Sequence, residues 1–153
     1  MDEFIPVNEP FLGKREKELL LECVETGWIS SEGPFVEKFE NSFSKRVNRK
    51  FGISCSSGSA ALDLAIAALE IGPGDEVIMP SFTIISCASA VIRSGAKPVL
   101  IDADPYTWNM NIEFVESAIN KKTKAIMAVH IYGLPVDMDP ILHLAKKYGI
   151  YIL

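Results

Sequence analysis

Cysteine is scarce in this chain: Cys23, Cys55 and Cys87 are the only three among 153 residues. An odd number with no C-x-x-C spacing excludes a disulfide framework and a thiolate zinc site, and points to a reducing compartment. Histidine is scarcer still, and His130 and His143 have no metal-ligand spacing. No apolar run approaches the roughly 20 residues needed to cross a bilayer. The opening MDEFIPVNEP is acidic and lacks the basic-then-apolar order of a signal peptide, so a cytoplasmic protein with no membrane partner is expected. Positive charge is not concentrated either. The net charge is −5, and the densest basic group, Lys45-Arg46 with Arg49-Lys50, reads as a solvated helix end, so no nucleic-acid partner is expected. Three signatures are missing as well. Without G-x-x-x-x-G-K-[ST] a P-loop enzyme is not expected, without G-x-G-x-x-G a dinucleotide fold is not, and without G-x-S-x-G neither is a nucleophile elbow.

What is present is an ordinary globular balance, 48% apolar and 23% charged, in a length that suits about one domain. The organising stretch is FGISCSSGSAALDLAIAAL, Phe51 to Leu69. Its apolar start predicts a strand over Phe51–Cys55. Ser56-Ser57-Gly58-Ser59 then predicts a tight turn, and the Ala/Leu/Ile run after it a buried helix. A helix that starts there aims unpaired backbone N–H groups and the positive end of its dipole out of the turn, beside several hydroxyls. Gly58 lets a ligand approach the backbone. That arrangement suits a phosphate. An ordinary N-cap by Ser or Thr accounts for the same residues equally well.

The rest of the chain alternates. A helix is expected over Lys14–Thr26, with Leu20 and Val24 on one side and Gly27 as its stop. The loop Gly27 to Pro34 carries Trp28 and Ile29, which serve either to anchor it in a core or partner subunit or to touch a ligand. Phe35, Phe39, Phe43 and Val47 share one face of a second helix, and that stripe is expected in the core. Further on, apolar strands at Val77–Met79, Pro98–Ile101, Ala125–Val129 and Ile150–Leu153 alternate with helices at Thr83–Arg93, Asn111–Asn120 and Val136–Tyr148. In the last helix Ile141, Leu142 and Ala145 are expected to point inward. His143, beside Lys146 and Lys147, is expected in solvent.

Continuous apolar strands alternating with helices specify an α/β fold: three layers, a mainly parallel sheet with helices on both faces. Ligands of such sheets sit beyond the carboxyl ends of the strands. Ser56–Ser59, Pro80–Ile84, Asp102–Asp104 and His130–Gly133 are therefore expected on one rim.

Six groups of residues carry a resemblance. They are Ile5-Pro6-Val7; Gly27-Trp28-Ile29-Ser30 with Gly33-Pro34; Ser57 to Leu62; Gly72 to Ile78 with Pro80 to Thr83; Gly95 to Val99 with Asp102; and His130 to Pro135. Together they resemble the nucleotide-sugar aminotransferases of the DegT/DnrJ/EryC1/StrS family, which are pyridoxal-phosphate enzymes. Asp104 to Asn109 and Val136 to Pro140 look most like the perosamine-synthase branch. That branch aminates a keto sugar carried on GDP, with glutamate as donor, to make sugars for O-antigen and other polysaccharides.

The resemblance implies pyridoxal 5'-phosphate as cofactor, held by Ser57, Gly58 and Ser59 at the phosphate. Phe82 and Ile84, with Thr83 between them, would lie against the ring. Many relatives have an aromatic at the position of Ile84, so either the ring contact here is aliphatic or Phe82 supplies it. His130 would neighbour the ring, and Trp28 and Ser30 would touch substrate. The family's Schiff-base Lys and the acid that pairs with the ring nitrogen lie beyond this chain, so it holds no catalytic residue. Lys121, Lys122 and Lys124 sit at the wrong end of the strands for that role.

The expected organisation is a helical segment over residues 1–50 with a substrate or dimer loop, then part of the large cofactor-binding domain over 51–153, with the small C-terminal domain absent. The strand beginning at Ile150 suggests a truncated chain, inactive alone, from a homodimeric enzyme. Three rivals stay open. One is a pyridoxal-phosphate sugar dehydratase of the same fold, and another a non-catalytic oligomerising fragment. The last is an unrelated α/β domain with a phosphate cup.

Overall fold

The computed structural model describes residues 4–153, which divide into two compact units, one ending at Ser54 and the other Cys55–Leu153. The first unit holds two helices. Helix α1, Lys14–Thr26, ends where Gly27 turns left-handed, as the sequence predicts. Helix α2, Pro34–Arg46, begins with proline at a first-turn position, where the missing N–H costs nothing. The stripe on α2 is not core: Phe39 and Phe43 stack on each other with centroids 5.7 Å apart, yet each stays 56% exposed within the described residues. Four-residue spacing shows which face needs cover, not what covers it. Ile29, 78% exposed, is no core anchor either.

Phe51–Cys55 forms no strand. The reason is visible at Ser54, whose backbone N–H goes to the Glu40 carboxylate at 2.8 Å instead of to a neighbouring strand. The Ser54 hydroxyl binds the same oxygen at 3.0 Å.

The second unit is the parallel α/β layer structure. Helix α3, Gly58–Ala68, leads to β1, Glu76–Pro80; α4, Ile85–Arg93, leads to β2, Lys97–Ile101. A 3-10 turn, Ile112–Phe114, and the short α5, Val115–Ala118, replace the longer helix expected there, and β3 follows at Thr123–Ile126. Helix α6, Met138–Tyr148, leads to β4, Tyr151–Ile152. These four strands pair in parallel, in the order β2-β1-β3-β4.

Strand β1 shows why the unit has three layers. Every residue of it is buried. Val77 and Met79 join one core with Ile66 of α3 and Cys87, Ala90 and Val91 of α4. Ile78 points the other way, into a core with Val115, Ile141 and Leu144. The two-residue side-chain period of the strand feeds both faces in turn. Helix α3 is less enclosed than its composition suggests, since only Ile66 is buried. On α6 the inward residues are Ile141, Leu144 and Ala145, while Leu142 faces out. A helix advances about 100° per residue, so Leu142 lies a quarter-turn from Ile141, whereas Leu144 and Ala145 come back over it. Gly149 stops α6 in the left-handed conformation, and His143 is exposed, both as expected.

Candidate anion site at the start of two helices

Helix α3 starts from an extended Ser57, whose hydroxyl accepts the N–H of Ala60 at 3.2 Å while its carbonyl accepts Ala61 at 3.0 Å. Ser57 is thus a true N-cap. It still has its own hydroxyl proton to donate, and the N–H groups of Gly58 and Ser59 lie in the first turn, where no helical carbonyl reaches them. Around Gly58 nothing comes within 4 Å of the position a Cβ would take, so its face is open.

The second contributor includes a residue that sequence reasoning missed, Ser86. Helix α4 begins after Ile84 with no side-chain cap; the Ile84 carbonyl takes the N–H of Cys87 at 3.1 Å. The first-turn N–H groups of Ile85 and Ser86 therefore also lack helical partners. Ser86 lies 2.8 Å, hydroxyl to hydroxyl, from Ser59. Gly58, Ser59, Ile84 and Ser86 line one cavity of about 490 Å³ with Ala61 and Leu62. Two helix dipoles and a pair of hydroxyls meet there, with no carboxylate in the lining. Such a site favours a compact anion. Since Ser86 is one small residue in a run of small residues, only the packing of α3 on α4 reveals it.

Phe82 lies elsewhere. Its ring tilts against Trp108 at 5.3 Å and Tyr132 at 6.4 Å between centroids. These three, with Tyr106, Thr107, Ile131 and Leu134, line a separate cleft of about 470 Å³. Trp108 and Tyr132 both adopt positive φ, 62° and 47°. Asp104 braces the Trp108 loop, its Oδ1 accepting the N–H groups of Tyr106 and Thr107 and the Thr107 hydroxyl. The Thr107 N–H and hydroxyl, first, and then the Tyr106 N–H hold the Asp104 carboxyl below its ordinary pKa. Ile84, in contrast to Phe82, belongs to the anion cavity. His130 is exposed and accepts the Val136 N–H on Nδ1 at 3.1 Å.

Trp28 and Ser30 belong to the first unit. The Trp28 ring packs on Gly33, where an added Cβ would meet it at 3.0 Å. The Ser30 hydroxyl lies 3.4 Å from both the N–H and the carbonyl of Glu32. Among the described residues no cluster of His, Cys, Asp or Glu could hold a metal ion, and no helix is long and apolar enough to cross a membrane.

A parallel α/β layer whose helices α3 and α4 open their first turns on one cavity has the features of the phosphate-binding α/β class. Comparison with known proteins narrows it. Residues 10–153 match the DegT/DnrJ/EryC1/StrS aminotransferase family, and the chain belongs to that family. It is 43% identical to the GDP-perosamine synthase of Escherichia coli O157:H7 over 151 residues, 99% of this chain and 42% of that protein. Among solved structures, an aminotransferase from Psychrobacter cryohalolentis superimposes with a TM-score of 0.88 at 35% identity, covering 94% of this chain and 36% of the other. Spr1654 of Streptococcus pneumoniae, solved in its PLP form, gives 0.86 at 32% identity, covering 96% and 38%. The chain thus spans about two fifths of the length of the curated relatives it matches.

Proposed function

We propose that this chain forms the phosphate-binding part of a pyridoxal-phosphate-dependent aminotransferase that acts on a nucleotide-linked keto sugar, perosamine-synthase-like, with glutamate as amino donor. The observation that carries it is the paired start of α3 and α4. The residues present fit the phosphate end of the cofactor: an open backbone at Gly58, a cap at Ser57 and the Ser59–Ser86 hydroxyl pair. When bound, the cofactor supplies an electron sink for charge developing at the carbon that gains or loses the amino group.

The chain's own residues then bind and orient. The N–H groups of Gly58 and Ser59 and the hydroxyls of Ser59 and Ser86 hold the phosphate. Ile84, which lines the same cavity, gives the aliphatic contact to the ring, and Phe82 serves the neighbouring cleft. Membership of the aminotransferase family and the 43% identity to a GDP-perosamine synthase support the substrate class. On this reading residues 1–50 carry the substrate or dimer loop, with Trp28 and Ser30 as substrate contacts, and 51–153 are part of the large domain. The uncovered Phe39–Phe43 face of α2 supports a homodimer, and the free Cys23, Cys55 and Cys87 a reducing cytoplasm. The product would enter lipopolysaccharide or another surface polysaccharide.

The test compares pyridoxal 5'-phosphate with pyridoxal, which lacks the phosphate. Calorimetric titration should give tighter binding of the phosphate ester, with inorganic phosphate as competitor. Equal affinities, or no competition, would remove the reading.

A further inference from the structure

Asn109 is polar, 5% exposed and far in sequence from what it binds. Its Nδ2 donates to the Leu134 carbonyl at 3.2 Å and reaches that of Pro135 at 3.5 Å. Its Oδ1 accepts the N–H of Ile131 at 3.3 Å. The side chain therefore grips both ends of the loop that follows His130. That loop turns tightly, with Tyr132 left-handed and a backbone bond from the Gly133 N–H to the His130 carbonyl at 3.1 Å. It thereby brings the Val136 N–H onto Nδ1 of His130 at 3.1 Å.

That last bond fixes the chemistry of the ring. An imidazole nitrogen that accepts an N–H carries no proton of its own. The neutral ring then bears its proton on Nε2, which is a donor and not a base. Among the described residues Nε2 has no partner, and His130 is exposed beyond the carboxyl end of β3, on the rim where ligands of parallel sheets sit. We propose that His130 is a tautomer-locked donor, giving its Nε2–H to an oxygen of the bound ligand, and that Asn109 is the positioning residue that holds the lock. This rests on the reading of that rim as a cofactor and substrate site. Two ligands offer such an oxygen, the cofactor ring and the carboxylate of the amino donor.

Two amides separate the halves of the imidazole. His130→Asn places an acceptor near the position of Nδ1 and deletes the distal donor. His130→Gln keeps a distal donor and deletes the near acceptor. Imidazole nitrogen NMR on the 15N-labelled chain reads the tautomer without any ligand. The expected result is protonated Nε2 and bare Nδ1 in the wild type, with both tautomers populated in Asn109→Ala. A protonated Nδ1, or a tautomer unmoved by Asn109→Ala, overturns the lock. Pyridoxal 5'-phosphate and L-glutamate are then titrated separately. A shift of the Nε2 signal with one of them supports the donor role and names the source; no shift with either overturns it. His130→Asn should weaken binding of that ligand on the order of tenfold while His130→Gln retains more, and wild-type affinity in His130→Asn also overturns the donor role. The phosphorus resonance of pyridoxal 5'-phosphate keeps the two readings apart. If it does not respond to the protein, the phosphate cup fails. If it responds and Nε2 ignores both ligands, the cup stands and the His130 proposal falls.

Discussion

Ser59 on α3 and Ser86 on α4 hold their hydroxyl oxygens 2.8 Å apart, although they are 27 residues apart in sequence. One of the pair must donate to the other, so the remaining proton is free for a ligand. If Ser59 donates to an anion, Ser86 donates to Ser59 and strengthens it, because hydrogen bonds in a chain polarise one another. Ser59→Ala should therefore lower affinity for pyridoxal 5'-phosphate on the order of tenfold, and Ser86→Ala by a smaller factor, through the lost relay. Both should leave affinity for pyridoxal unchanged. Calorimetric titration of the two ligands checks this. A loss that is equal for both would mean the serines only pack the helices.

Gly58 offers a second handle on the same cavity. Nothing lies within 4 Å of the position its Cβ would take, so Gly58→Ala meets no steric obstacle within the chain. A Cβ should be neutral for folding or favourable by up to about 1 kcal/mol, from helix propensity. It would stand where a ligand has to come close to the backbone. The expected outcome is an unchanged or slightly raised Tm with weaker binding of inorganic phosphate and of pyridoxal 5'-phosphate. A variant that binds normally would place the anion away from this backbone.

How far the sequence revealed this arrangement depends on whether the cause was local. The stops at Gly27 and Gly149 and the apolar strands of the second unit were legible because a single residue or a short run decides them. Thr123 begins β3 two residues earlier than its apolar run, since a strand also needs backbone partners, and Glu76 pairs with Thr123. Phe51–Cys55 read as a strand because its side chains are apolar, but the Glu40 carboxylate claims Ser54. Gly58 and Ser59 stood out as a helix start. Ser86 and Asn109 did not, for their partners lie far along the chain and only the packed layers bring them together.

At the opposite end of the strands Glu76 is buried. Its carboxylate accepts Asn120 Nδ2 at 2.7 Å and faces Lys97 Nζ at 3.7 Å. The Asn120 hydrogen bond, aided by the charges of Lys97 and Lys122, lowers its pKa from 4.5. For an acid lowered in the folded state, the stabilisation is present above the unfolded pKa and is lost as pH falls through the folded one. The difference in urea midpoint between wild type and Glu76→Gln should be full at pH 7, start to shrink below about pH 4.5, and vanish in stronger acid. A difference that stays constant down to pH 3 would assign the effect of Glu76 to its shape rather than its charge.

Gly95 joins α4 to β2 with φ at 84°, a conformation that side chains rarely adopt. A Cβ there would also meet Cγ of Pro73 at 2.9 Å and Cδ at 3.2 Å, in a ring that cannot swing aside. Gly74 has a similar φ, 94°, with nothing within 4 Å of its Cβ position. Comparing the two alanine variants separates backbone strain from collision. Gly74→Ala should cost about 1 kcal/mol, the strain alone, and Gly95→Ala about 2–3 kcal/mol, strain plus clash. Urea unfolding of both checks the difference. If the two variants lose the same stability, the Pro73 ring yields, and the connection between α4 and β2 is looser than its geometry implies.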